Sequence, residues 1–209
     1  MTGTSSTHTA GAAPPAQREA SQRDIRAFVR RHRAQVLTFV GYSGAGYEDA
    51  AAMLACADRV LAAHDPATTL VNIGATAEGI GAAYELAKRR GFTTIGIVST
   101  QARDGAAPLS ACVDHVFFVP DGSWGGLQPG SRRLAPTSAA IVAVSSVVVG
   151  IGGGEIGRDE LAAARRAGRV VAFYPADMNH AAAIDKALKK GEPVPTDFRG
   201  AAHRVGVSR

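Results

Sequence analysis

One stretch constrains this chain more than any other: an unbroken apolar run, Val147-Val148-Val149-Gly150-Ile151, stops on Gly152-Gly153-Gly154 and restarts as Glu155-Ile156-Gly157-Arg158-Asp159-Glu160-Leu161. A continuous apolar run of this length reads as a parallel strand buried on both faces, and the segment after the glycines reads as a crossover helix. Glycine removes the side chains that would keep a ligand, or another part of the chain, away from the backbone. The first amides of the crossover helix are left without intrahelical partners. Two readings fit this stretch alone: an anion-binding turn, or a βα turn that merely packs tightly.

Two further turns share the pattern. Leu70-Val71-Asn72-Ile73 runs into Gly74-Ala75-Thr76-Ala77-Glu78-Gly79, ahead of a segment whose Ile80, Tyr84, Leu86 and Ala87 keep helical spacing. Leu37-Thr38-Phe39-Val40 runs into Gly41-Tyr42-Ser43-Gly44-Ala45-Gly46, where Ser43 is positioned to cap a helix beginning near Tyr47. In an open parallel sheet such turns gather outside the carboxyl ends of the strands, where ligands bind near a reversal of strand order. None is the strict dinucleotide fingerprint, and no Lys-Ser/Thr pair comes after, so a Walker-type phosphate loop is excluded.

Strands and helices alternate along the chain. Strands are expected near 35–41, 69–74, 93–99, 114–119, 147–151 and 169–174, and helices near 47–63, 78–90, 137–146, 155–167 and 179–190, with Gly191 as the last stop signal. This predicts an α/β, doubly wound Rossmann-like fold with a mostly parallel central sheet flanked by helices. The chain divides into three segments: a flexible leader over 1–20, rich in Ser, Thr, Ala, Gly and Pro; a nucleotide-binding domain over 21–191; and a C-terminal tail over 192–209. The connection Pro120 to Pro136, carrying Trp124, Gly125, Gly126, Arg132 and Arg133, is longer than most in compact domains.

Charge narrows the partners. Six arginines against Glu19 and Asp24 between positions 18 and 33 supply four of the five net positive charges. With Ile25, Phe28 and Val29 at helical spacing, they read as the solvated face of an amphipathic helix, which argues against nucleic acid as a partner. No apolar run reaches membrane-spanning length, so a membrane role is not expected. No secretory pattern precedes the first helix, and Cys56 and Cys112 lack redox or metal spacing, which together predict a cytoplasmic address with both thiols in the core.

The glycine turns together with the strand Thr94-Ile95-Gly96-Ile97-Val98 resemble the Rossmann-like SLOG superfamily, which includes the cytokinin-activating phosphoribohydrolases called LONELY GUY, formerly mislabelled lysine decarboxylases. The resemblance covers roughly residues 35–174. In that family the last turn reads Pro-Gly-Gly-x-Gly-Thr-x-x-Glu, binds a nucleotide phosphate at a helix start and places a glutamate near the ribose. Matching Gly153-Gly154 to its paired glycines puts Gly157 at its threonine and Asp159-Glu160 at its acidic pair. Its catalytic arginine falls near Thr137, whereas this chain carries Arg132 and Arg133 about one helical turn earlier. The resemblance therefore implies binding of a nucleotide-like ligand and, at its furthest, hydrolysis of the N-glycosidic bond of a nucleoside 5'-monophosphate. Divergent members that bind without known turnover, carriers of the molybdenum cofactor among them, supply the alternative: a non-enzymatic carrier or sensor of a nucleotide or molybdopterin-type ligand.

On either reading the candidate catalytic set is Glu160, Asp159 and Arg133: a carboxylate to stabilise an oxocarbenium-like sugar or activate water, and a cation to hold phosphate. Against this stands a plain structural reading in which Asp159 and Glu160 are solvated or pair with Arg158 and Arg165. The candidate ligand contacts are Gly41, Ser43, Gly44, Gly74, Thr76, Gly79, Gly152, Gly153, Gly154 and Glu155. Glu155 suits the positive end of the helix dipole yet would repel a phosphate there, which points to a ligand base or hydroxyl facing this turn. Ser99-Thr100-Gln101 reads as cleft lining or a helix cap, and His180 as a cap or core residue. No cofactor and no metal are expected, His115 and His203 lacking ligand spacing. The apolar run 139–144 with Val147 to Val149 leaves little polar surface, and predicts a homodimer unless the chain's own first or last helix covers it.

Overall fold

A computed structural model describes residues 15–207, the last two without their side chains. The chain order is β1 (Ala16–Glu19), α1 (Gln22–Arg31), β2 (Gln35–Gly41), α2 (Ala50–Ala62), β3 (Thr69–Asn72), a 3-10 turn (Gly79–Ala82), α3 (Ala83–Arg89), β4 (Thr93–Ser99), α4 (Thr100–Asp104) and β5 (His115–Val119). Beyond β5 lie α5 (Pro136–Val144), β6 (Val147–Ile151), α6 (Glu155–Arg166), β7 (Val170–Tyr174), α7 (His180–Lys190) and α8 (His203–Val207).

The strands form one seven-stranded sheet in the order β1-β5-β4-β3-β2-β6-β7, and each neighbouring pair is parallel. The expected doubly wound α/β fold is therefore observed. From β2 the chain steps outward through β3, β4 and β5, then returns to lay β6 on the other side of β2. That reversal opens a crevice between the carboxyl ends of β2 and β6, and it fixes where a ligand site belongs.

Both faces of the sheet are covered. Leu37 and Phe39 of β2 pack with Leu61, Tyr84 and Ile151 on the side of α2 and α3. Val36 points into the opposite core with Ile25, Phe28, Phe117 and Ile141, and Val40 joins Val142, Val148 and Leu161 on the side of α5 and α6. The basic segment is the amphipathic helix α1, with Ile25 and Phe28 buried and a capping box between Ser21 and Asp24.

Several expectations are corrected. The leader does not run to residue 20, because from Ala16 it is an edge strand: Ala16 and Ala20 donate to the carbonyls of Asp114 and Phe118, both at 2.9 Å. Its strand residues are exposed, so composition gives no sign of it; the Arg18 guanidinium lies over the ring of Phe117, 4.5 Å from its centroid. The rest of that leader, 1–14, lies outside the described residues. The tail from residue 192, which shows no period, is tied to the domain by Met178 N to Phe198 O (2.9 Å), Gly200 N to Tyr42 Oη (2.6 Å) and Ala202 N to Gly153 O (3.0 Å). Single anchors of this kind leave no period in a sequence. Ser43 does not cap the next helix; α2 begins at Ala50, with Asp49 accepting from Ala52 N at 2.8 Å. The helix expected over 78–90 is split into a 3-10 turn and α3, and α4 is an addition to the expected elements. Finally, the apolar α5 packs against α1 and α6 of its own chain, so the surface that motivates the dimer expectation is covered internally.

Among the described residues no helix is long and apolar enough to cross a membrane.

Candidate functional site

A cleft of about 720 Å³ opens at the reversal of strand order. Its walls are Gly41, Ser43, Gly44 and Ala45 after β2, Gly74, Thr76 and Glu78 after β3, and Gly154, Glu155, Ile156 and Gly157 at the start of α6. Trp124, Thr137, Glu160 and Lys186 complete the lining. One residue holds the floor of the crevice shut: Tyr47 reaches back so that its hydroxyl donates to Ile151 O at 2.7 Å and accepts from Tyr42 N at 3.1 Å. This clamps the ends of β2 and β6 together beneath the cleft. Gly41 is required there, because a Cβ at that position would run into Tyr47 Oη.

Two groups of backbone donors face this space. The α6 N-terminus has no side-chain cap, and its first backbone bond is made by Arg158 N to Gly154 O at 3.0 Å, leaving the amides of Glu155, Ile156 and Gly157 without a partner among the described residues. In the loop after β2, Gly46 N bonds to Ser43 O at 2.9 Å, while the Ser43, Gly44 and Ala45 amides have no partner among the described residues. Both groups suit an electronegative ligand atom.

Glu160 is the buried carboxyl of the site, only 5% exposed. Ser138 Oγ donates to its Oε1 at 2.7 Å and itself accepts from Gly126 N at 2.8 Å, so the hydroxyl proton is directed at Glu160. Burial, aided by the neighbouring Asp159 and only partly offset by Ser138, pushes the Glu160 pKa up to about 7. Its Oε2 has no hydrogen bond among the described residues. Thr137 Oγ1 is fully buried beside the Asp121 carboxylate and helps to lower its pKa. Of Thr137 and Glu160, it is Glu160 Oε2 that this cleft wall leaves open to a ligand among the described residues. Beneath them Asp121 accepts from Thr137 N at 2.9 Å and Ser123 N at 2.9 Å. Burial raises the Asp121 pKa, but these amide bonds outweigh it and hold the carboxyl below its ordinary value.

The cleft gathers Glu160, Gly41, Ser43, Gly44, Gly74, Thr76, Gly154 and Glu155 from the expected set. Asp159 sits outside the lining: it pairs with Arg158 at 2.9 Å and accepts from Leu127 N at 3.2 Å. Asp159 thus meets the alternative of pairing with Arg158, though buried rather than solvated, and Glu160 does neither. Arg133 is exposed on the long loop and does not line the cleft. Gly79 lies against the backbone of Tyr42 and Ser43. Gly152 packs under the Tyr42 ring and Ala176 O, and Gly153 against Ala202, so these two make room for the chain itself. Ser99 caps α4 through Gln101 N at 3.1 Å. His180 stacks on Phe198 and lies 3.5 Å from Asp177 and 3.8 Å from Glu48.

Among the described residues the cleft lining carries three carboxylates, Glu78, Glu155 and Glu160, against the single cation Lys186. No group of three or more His, Cys, Asp and Glu side chains there is arranged to hold a metal ion. Sequence reasoning missed Thr137, Ser138, Trp124, Ile156 and Lys186 as site residues. Pro136 at the first position of α5 does signal that Thr137 and Ser138 open a helix, but nothing local shows that this helix faces α6.

No protein-family model matches the chain, and no curated protein matches it. Among solved structures it is similar to a molybdenum-cofactor carrier protein from Chlamydomonas reinhardtii, at 20% identity over 83% of this chain and 96% of that one, with a TM-score of 0.49. It is also similar to a molybdenum-cofactor binding protein from Rippkaea orientalis (17% identity, 68% and 76% covered, TM-score 0.48). A third is the DNA processing protein A of Streptococcus pneumoniae (15% identity, 80% and 60% covered, TM-score 0.47).

Proposed function

We propose that this protein binds a nucleotide-sized ligand, a nucleotide or a pterin-type molecule, in the cleft between β2 and β6, and that it holds this ligand rather than hydrolysing it. The observation that carries the reading is the coincidence at one point, among the described residues, of unpartnered amides on two elements, an uncapped α6 N-terminus and the unpartnered Glu160 Oε2. The 720 Å³ of the cleft suits a molecule of this size.

Binding without turnover is favoured by the arrangement of charge around the lining. An N-glycosidic hydrolase needs a cation against phosphate and a carboxylate near the sugar; here Arg133 is on the outer loop, Asp159 is tied to Arg158, and Lys186 is the only cation of the lining among the described residues. Of the three carboxyls in the lining, Glu160 is the buried one, with a pKa of about 7, suited to accept or donate one hydrogen bond to a ligand. On this reading the chain is a divergent member of the LONELY GUY-like superfamily acting as a carrier or sensor, in the cytoplasm. The reading does not require a homodimer, and light scattering tests for one independently.

The test is a pair of assays on the full chain. Native mass spectrometry and calorimetry with adenosine, guanosine, cytidine and uridine monophosphates and a pterin should detect a one-to-one complex, and chromatography of the same mixtures should find no released base. Release of base at enzymatic rates would overturn the carrier reading in favour of the hydrolase.

A further inference from the structure

The loop between β5 and α5 presents an aromatic ring at the cleft mouth for which the fold itself has no use. Trp124, the only tryptophan of the chain, lines the cleft yet is 52% exposed, and its ring makes no aromatic or cation contact among the described residues. A tryptophan is among the largest apolar side chains, and leaving it in water forgoes the stabilisation that burial would give.

The backbone on either side of Trp124 is nevertheless firmly held. Before it, Ser99 Oγ donates to Asp121 O at 3.0 Å, Gln101 Nε2 donates to Gly122 O, and Ser123 Oγ donates to Asp121 Oδ1 at 2.9 Å. After it, Gly125 N donates to Ser123 Oγ at 3.2 Å and Gly126 N to Ser138 Oγ at 2.8 Å. Gly125 and Gly126 adopt φ of +122° and +80°, which allows the loop to lie on Ile156; a Cβ at Gly125 would press on Ser138 Oγ at 2.7 Å. The hydroxyl that receives Gly126 is the one that donates to Glu160, so the loop carrying Trp124 and the buried acid share a single hydrogen-bond chain.

We infer that Trp124, with Ile156 beside the same opening, is a preformed stacking platform for a planar heteroaromatic ring, and that it gives the cleft its selectivity for base-bearing ligands over bare sugar phosphates. This rests on the cleft being a ligand site. A rigid aromatic surface stacks on any flat ring at little entropic penalty, while Glu160 Oε2, unpartnered among the described residues, offers a hydrogen bond to a polar edge of the same ligand.

Because the chain has one tryptophan, its emission reports on this residue alone. The full chain is titrated with AMP, GMP, a pterin and ribose 5-phosphate, followed in parallel by calorimetry and tryptophan emission. Stacking predicts that base-bearing ligands quench the emission while ribose 5-phosphate leaves it unchanged. Trp124→Ala should weaken base-bearing ligands about ten-fold or more, and Trp124→Phe should restore most of that loss. Neither variant should change the affinity for ribose 5-phosphate. If calorimetry detects base-bearing ligands that Trp124→Ala binds as tightly as wild type, the platform is refuted and the cleft reading survives. If no probe gives heat with wild-type protein, the cleft reading fails and the platform with it.

Discussion

The turn after β2 and the turn after β6 look alike as sequence, each an apolar strand running into glycines, yet they divide those glycines differently between the chain and the cleft. After β2, Gly41 admits Tyr47, and beyond it Ser43, Gly44 and Ala45 stand open to the cleft with free amides. After β6, Gly152 and Gly153 have φ of +56° and +124° and are filled from within, by Tyr42, Ala176 and Ala202; only Gly154 faces the cleft. A glycine announces that something comes close to the backbone, and it does not say whether that something is a ligand or the chain.

The sharpest way to break this comparison is Gly152→Ala. It forces an alanine into left-handed backbone and a methyl against the Tyr42 ring and Ala176 O, for an expected loss of about 3 kcal/mol or more in urea unfolding. A loss below about 1 kcal/mol would show that the turn is not sealed.

Next in size is the pH response of Glu160. Its pKa in the folded protein is raised from the 4.5 of an ordinary glutamate to about 7, so the folded state keeps a proton that the unfolded chain releases. Its contribution is therefore most favourable below pH 4.5, falls as pH rises toward 7, and is level above that. Glu160→Gln cannot ionise and should gain on wild type across this window by roughly 3 kcal/mol at most, read as the difference between the two melting curves against pH. Parallel curves would mean that Glu160 is solvated.

Tyr42→Phe comes third. It leaves Gly200 N without its acceptor and removes the bond to Ala176 O (3.2 Å), which should lower stability by about 1–2 kcal/mol and expose residues 192–205 to hydrogen exchange. Unchanged exchange would show that other anchors suffice.

Much of the fold was legible. The boundaries 35–41, 93–99 and 147–151 agree with β2, β4 and β6, because strands covered on both faces must be continuously apolar and are bounded by turns. β1 escaped because an edge strand needs only backbone partners, and the tail because Gly200 and Ala202 meet Tyr42 and Gly153 from far along the chain. The site was legible where glycines mark a strand end, as at Gly41, Gly44, Gly74 and Gly154. Glu160 stood out through a family resemblance, while Asp159 beside it could not be told apart until the helix showed which carboxyl faces Ser138 and which faces Arg158. Trp124, Thr137 and Lys186 come from three separate segments that only the folded sheet brings to one opening.

The most direct test substitutes the one glycine of the second turn that is left open. A Cβ at Gly154 meets nothing within 4 Å, so Gly154→Ala should change stability by less than about 1 kcal/mol while placing a methyl at the cleft wall. Calorimetric titration of the wild-type chain with AMP and GMP should show one ligand bound per chain, and the variant should bind at least ten-fold more weakly with its melting temperature nearly unchanged. Equal affinity in the two proteins, or no binding by the wild type, would contradict the assignment of this cleft as the ligand site.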